Sequence, residues 1–121
     1  ASVAGLLSER LAESLPEGRF ITAWLAKLDP ARHEVEMLSA GQGPIFVVRA
    51  GGEVEVLEAD SFPLGLTAEL LAGPRRVALA PGDAVVVVSD GLIEAAERGG
   101  RQFGLTRMTA LLRSRRGLSA E

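Results

Sequence analysis

No cysteine occurs among the 121 residues. Disulfides, thiolate nucleophiles and zinc–sulfur sites are excluded with it, and the composition fits a reducing cytoplasm, the expected location. Histidine is nearly absent too. His33 directly follows a turn at a strand start, where a solvent-facing role is the plain reading. No Ser-His-Asp or Cys-His arrangement finds sequence support around it. No apolar run approaches the roughly 20 residues that a membrane helix needs. The first residues lack the basic start and apolar core of a signal peptide, so no membrane partner is expected. The cations are 12 arginines and the single Lys27. With a net charge of −3 there is no global basic field, and nucleic acid is not an expected partner. No glycine-rich loop runs into Lys-Ser or Lys-Thr, which removes a phosphate cradle of the P-loop kind. Gly41-x-Gly43 by itself is too weak to mark a dinucleotide site. Repeats, low-complexity segments and dividing linkers are also missing, so a single domain over residues 1–121 is expected.

What is present is ordinary globular composition, 47% hydrophobic and 24% charged. Its most informative stretch is Ala80-Pro81-Gly82-Asp83-Ala84-Val85-Val86-Val87-Val88-Ser89-Asp90-Gly91. A Pro-Gly-Asp turn launches an unbroken apolar run, which predicts a central strand buried on both faces. The run ends at one carboxylate, Asp90. Gly91 lacks a Cβ and so permits a sharp turn or a close ligand approach there.

Upstream, Val3, Leu6, Leu7, Leu11 and Leu15 predict one apolar stripe on an amphipathic helix over residues 2–15, ended by Pro16 and Gly18. Phe20 to Leu28 alternates as a strand. Asp29-Pro30-Ala31-Arg32 is a turn, and residues 34–39 return with one wet face. Residues 41–44 break the pattern, and Ile45-Phe46-Val47-Val48-Arg49 resumes it. The Ala50-Gly51-Gly52 turn leads into Val54-Glu55-Val56-Leu57. A looser segment precedes a short strand at Arg75–Leu79, expected to pair with 84–89 through the Pro81-Gly82 turn. After Asp90 a short helix runs out at Gly99-Gly100, and Leu105, Met108, Leu111 and Leu112 mark a last one. Helix, about six strands and two helices make an α+β pattern, antiparallel meander first.

Two readings of Asp90 stand side by side. It caps the following helix by accepting the amides near Leu92 and Ile93, the reading local pattern slightly favours, or it is held at a sheet edge for a hard cation. Asp83 reads as a turn residue. Arg107, Arg113, Arg115 and Arg116 read as a solvated helix end favoured by the macrodipole more readily than as an anion-binding face.

Four stretches in order then resemble the SpoIIE-type branch of the metal-dependent type 2C (PPM) serine/threonine phosphatases. Phe20-Ile21-Thr22-Ala23 through Leu28-Asp29-Pro30 is similar to the family's "F-x-T…LD" strand, and Leu38-Ser39-Ala40-Gly41-Gln42-Gly43-Pro44 to its "NAGHxP" turn. Phe62-Pro63-Leu64-Gly65-Leu66 resembles "xPLGL". Leu79-Ala80-Pro81-Gly82-Asp83 through Ser89-Asp90-Gly91-Leu92-Ile93-Glu94-Ala95 resembles "L-x-PGD…(T/S)DGxxEA", followed by Phe103-Gly104 for "FG". The resemblance covers nearly the whole chain, and the last block is its most specific part.

The resemblance implies an α+β fold of two antiparallel sheets in a sandwich flanked by helices, incomplete in this chain. It implies a pair of Mn2+ or Mg2+ ions at one edge, with ion-bound water attacking phosphoserine or phosphothreonine phosphorus in line. Asp90 would be a metal-binding aspartate, with Gly91, Gly41 and Gln42 shaping the site. The implied substrate is a phosphorylated regulatory protein of the anti-sigma-factor-antagonist type. Two departures qualify this. The family's other metal aspartates lie in segments this chain does not contain, so it is expected to be truncated at both ends and to hydrolyse little phosphate ester alone. Exposed edges and apolar faces would then favour self-association, a homodimer included. The family's histidine is also Gln42 here, which keeps a catalytically inactive regulatory or interaction module as the rival reading.

Overall fold

In a computed structural model, residues 2–67, 73–95, 100 and 103–114 are described. The chain forms two compact units that interleave in sequence. The first comprises Ala1–Gln42 and Glu58–Ala78, the second Gly43–Leu57 and Leu79–Glu121. Each has one antiparallel three-stranded sheet and helical segments, an α+β organisation as the sequence predicts.

The first unit opens with α1 (Val3–Ser14), capped by Ser2, whose Oγ accepts the Gly5 N–H at 3.0 Å. Its sheet joins β1 (Ala23–Asp29), β2 (Glu34–Ala40) and β5 (Arg75–Ala78) in the order β1-β2-β5. The Asp29-Pro30 turn closes the β1–β2 hairpin as expected, with Asp29 Oδ1 accepting the Arg32 N–H and Asp29 facing Glu34. β1 starts later than expected. Phe20 is exposed, and Ile21 instead exchanges backbone hydrogen bonds with Leu64 at 2.9 and 2.8 Å.

The stripe predicted for α1 is only half right. Val3, Leu6 and Leu7 are exposed, while Ala4 and Ser8 are buried and Leu11 and Leu15 half-buried. Positions 4, 8, 11 and 15 share one helix face, and two small residues on it permit close approach. Ser8 Oγ donates to the Thr67 carbonyl at 2.8 Å and accepts the Gly65 N–H at 3.3 Å. Gly65, at φ 83°, lies so close that a Cβ there would meet Leu15 at 2.9 Å and Leu11 at 3.2 Å. The Ser8 hydroxyl and the close approach of Leu11 and Leu15 to a side-chain-free Gly65 seat this helix against residues 64–67.

In the second unit, β3 (Ile45–Val48) is flanked by β4 (Val54–Leu57) and β6 (Ala84–Val87), in the order β4-β3-β6. The β3–β4 hairpin turns as expected, with Arg49 N–H donating to Glu53 O at 2.8 Å. α2 (Asp90–Ile93) and α3 (Gly104–Ser114) follow, α3 packing on β3, β4 and α2. Of the stripe predicted on α3, Met108 is buried and Leu112 half-buried, whereas Leu105 and Leu111 are exposed.

Three expectations are overturned. The run 84–88 is not the strand buried on both faces: β6 is an edge strand with Ala84 and Val87 exposed. The doubly covered strand is β3, where Ile45, Phe46, Val47 and Val48 are all buried. Both neighbours of the second sheet pair on it, and hydrophobicity alone does not tell centre from edge. Likewise β2 was expected to keep a wet face, yet Met37 to Ala40 is buried throughout, because β2 is the centre of its own sheet. Nor does β5 pair with β6. It pairs with β2, Glu34 facing Ala78 and Met37 facing Arg75, while β6 pairs with β3. Charge supports that choice, since Arg76 Nε donates to Glu36 at 3.1 Å. The Pro-Gly-Asp turn therefore carries the chain from one sheet to the other.

Candidate functional site

The carboxylate singled out in the sequence stands where β6 gives way to α2. Ser89, extended at φ −80° and ψ 159°, is the N-cap, and Asp90 is the first helical residue. The local turn is held by backbone bonds, Leu92 N–H to Ser89 O at 3.1 Å and Glu94 N–H to Asp90 O at 2.8 Å. Asp90 is exposed, and among the described residues its carboxylate accepts no hydrogen bond. The capping reading is therefore incorrect: the cap position belongs to Ser89, one residue earlier. Gly91 is exposed, and a Cβ there would meet only Ser89 Oγ at 3.6 Å, an ordinary contact. Beyond the helix, the Phe103 N–H donates to Ala95 O at 2.7 Å, so the Phe-Gly motif returns the chain to the end of the Asp-Gly block.

Gly41 and Gln42 belong to the first unit. Gly41 needs to be glycine: its φ is 67°, and a Cβ would stand 2.5 Å from Pro63 Cγ. Two of the sequence motifs, Ala-Gly-x-x-Pro and Pro-Leu-Gly-Leu, thus meet in direct contact. The turn is further held by the Gly41 N–H donating to Ser61 O at 2.9 Å and by the Ser39 hydroxyl donating to the Gln42 carbonyl. Thr22, from the "F-x-T" stretch, donates to Gln42 Oε1 at 3.3 Å.

Sequence reasoning missed the pair behind this turn. Asp60 Oδ2 accepts the Ser39 N–H at 3.0 Å, and Arg75 Nη2 donates to Asp60 Oδ1 at 2.5 Å. The side chain of Asp60 is 9% exposed. Nothing local announces it, since Asp60 lies 21 residues from Ser39 and 15 from Arg75.

Asp83 does more than shape its own turn. Its carboxylate accepts the Ala80 N–H at 2.9 Å, the Ala50 N–H at 2.9 Å and Arg49 Nη1 at 2.8 Å. The Ala50 amide, then Arg49, then the Ala80 amide hold it below the ordinary aspartate range. Arg49 also pairs with Glu55 at 3.0 Å, and the two carboxylates raise its own value. The turn is in this way tied to the β3–β4 hairpin.

The arginine cluster offers little. Arg115 and Arg116 lie outside the described residues. Arg107 sits 6.0 Å from the centre of the Phe103 ring. Arg113 borders an open cavity of about 550 Å³ that also carries Glu53 and Glu55, a poor setting for an anion.

The described residues do not fit a complete metal centre. Among them, no group of three or more His, Cys, Asp or Glu side chains comes together, and Asp90 is a lone donor where a hard cation takes about six oxygens. Among the described residues no helix is long and apolar enough to cross a membrane.

A family profile described as Stage II sporulation protein E (SpoIIE) matches residues 1–121. Solved structures agree. The SiaA-PP2C domain of Pseudomonas aeruginosa is 26% identical at a TM-score of 0.64, covering 76% of this chain and 36% of that one. The RsbU and RsbW domains of a Mycobacterium tuberculosis protein superpose at a TM-score of 0.71 with 24% identity, over 95% of this chain and 34% of theirs. The phosphatase domain of the cell fate determinant SpoIIE from Bacillus subtilis, presoaked with Mn, gives 0.58 and 20% identity, over 94% and 57%. The chain thus spans about a third of the first two structures and under three fifths of the third. No protein with a curated description matches it.

Proposed function

The chain belongs to the SpoIIE family, and from that premise we propose that it is part of a metal-dependent protein serine/threonine phosphatase to which Asp90 contributes one metal ligand. The observation that carries this reading is the state of Asp90. A carboxylate just past the end of a strand, outside the N-cap position that Ser89 holds and accepting no hydrogen bond among the described residues, is not consumed by the fold. The "DGxxEA" block supplies its identity, and Gly91 leaves its surroundings unobstructed.

On this reading the remaining carboxylates of a two-ion Mn2+ or Mg2+ centre come from outside the described residues. When bound, such ions supply Lewis-acid stabilisation of a phosphoryl group. In the first unit, the Gly41–Gln42 turn is the other element that the sequence resemblance counts as site-shaping, its backbone held by Ser39 and the Gln42 side chain by Thr22. The substrate class is phosphoserine or phosphothreonine on a regulatory protein, of the anti-sigma-factor-antagonist type that the sequence resemblance implies.

The test is Asp90→Asn in the encoded polypeptide, with manganese-dependent hydrolysis of p-nitrophenyl phosphate and of a phosphoserine peptide as readouts. We expect turnover to fall at least about 100-fold, in line with the loss of a directly acting group, with circular dichroism unchanged. A near-normal rate removes Asp90 from the site.

Gln42, where the family has histidine, favours a second reading: a phosphatase-like module that binds a phosphoprotein without turning it over. Saturable binding with no hydrolysis by the encoded polypeptide, at any manganese concentration, selects this alternative.

A further inference from the structure

We propose that Asp60 and Arg75 are positioning residues for the Gly41–Gln42 turn, a role that rests on the reading of that turn as part of a phosphatase site. The inference starts from an imbalance in the first sheet. β5 accompanies β2 only as far as the pair Met37–Arg75. Ser39 and Ala40, which lead into the turn, extend past the end of β5, and Asp60 and Ser61 take its place. The backbone N–H groups of both donate to the Ser39 carbonyl, at 3.0 and 3.1 Å, and Ala40 bridges to Ser61.

The side chain of Asp60 completes the grip. It accepts the Ser39 N–H, so both backbone polar groups of Ser39 are held from one short segment. Ser39 in turn passes the constraint on, its hydroxyl holding the Gln42 carbonyl. Arg75, the first residue of β5 and the partner of Met37, fixes the carboxylate from the other side.

A nearly buried carboxylate is a costly way to hold a turn, because its desolvation is offset only by a close partner and well-made hydrogen bonds. The backbone bonds of Gly41, Asp60 and Ser61 already close the loop. The added ion pair fixes its orientation, the property a substrate-shaping turn requires. Asp60 acts through Ser39.

Amide hydrogen exchange of the 121-residue chain, followed by NMR, tests the positioning itself. In Asp60→Ala the Gly41 amide should exchange about 30-fold faster, while residues 35–37 of β2 change less than about threefold. Asp60→Asn, which keeps an acceptor for the Ser39 N–H, should retain most of the protection. Should Asp60→Ala fail to fold, Arg75→Met is decisive instead, with an expected selective acceleration of Gly41 of about fivefold. Gly41 and residues 35–37 accelerating in step, in either variant, makes the pair a general stabiliser and overturns the proposal.

A second arm separates this from the phosphatase reading. In the polypeptide that hydrolyses a phosphoserine peptide, Asp60→Ala should lower kcat/KM about tenfold, and Asp60→Asn should restore at least a third of it. Selective loosening of Gly41 with unchanged kcat/KM overturns the catalytic purpose of the positioning. An encoded polypeptide with no hydrolysis at all sinks the phosphatase reading, and the exchange arm still decides whether Asp60 and Arg75 hold the turn.

Discussion

Pro63 Cγ lies 2.5 Å from the position a Cβ on Gly41 would occupy. The contact joins two motifs that are separated in sequence, and it fixes the identity of Gly41 twice over, by space and by its φ of 67°.

Gly41→Ala should accordingly destabilise the chain by about 2 to 3 kcal/mol, from the strained backbone and from overpacking against the proline ring. Gly51→Ala is the control, since nothing lies within 4 Å of its Cβ position. It should stay within about 0.5 kcal/mol of the parent. Urea denaturation of the two variants makes the comparison.

Phe46→Ala should cost about 3 to 5 kcal/mol, the range for emptying an aromatic site in a core. Phe46 is 0% exposed on the central strand of the second sheet. Val87→Ala, on the edge strand where Val87 is 37% exposed, should cost about 1 kcal/mol or less. Similar losses at the two positions would contradict the assignment of β3 as the central strand.

Asp83 makes stability depend on acid. Its folded value is depressed, so the unfolded chain takes up the proton first as pH falls below the ordinary value of about 4. The stabilisation is fully present above that value and drains away as pH drops toward the folded one. Asp83→Asn should be less stable than the parent by a constant margin above about pH 5. That margin should shrink below about pH 4, as chemical denaturation at a series of pH values will show.

Asp90→Asn should leave stability within about 0.5 kcal/mol of the parent, because the side chain is exposed and unbonded among the described residues. The 121-residue chain alone should show little manganese-dependent hydrolysis of p-nitrophenyl phosphate. Robust activity abolished by Asp90→Asn would contradict that expectation.

Much of the local structure was legible in order along the chain. Turn residues placed the Asp29-Pro30 and Gly51-Gly52 hairpins, and helical spacing placed α1 and α3. Motif order pointed to the SpoIIE family, which the profile over residues 1–121 establishes. The errors share a cause. Val3, Leu6 and Leu7 looked like a core stripe, but helix rotation follows the Ser8 hydroxyl's bonds to Gly65 and Thr67 and the close approach of Leu11 and Leu15 to Gly65. Asp90 looked like a cap because an aspartate precedes the helix, but Ser89 already occupies the non-helical position.

The sequence by itself determined the order of strands, turns and helices and most of their bounds, the start of β1 excepted, because those depend on dihedral preferences and side-chain periodicity within a few residues. It also determined that Asp90 and Gly91 follow an apolar strand. Only the tertiary structure decided that β3 and β2, not β6, are the buried centres, and that β5 crosses to β2. Those choices rest on hydrogen bonds and ion pairs between residues far apart in the chain. Ser39 with Asp60, Asp60 with Arg75, and Asp83 with Arg49 have no signature in any local window, since each pair acquires its energy only once folding has brought it together.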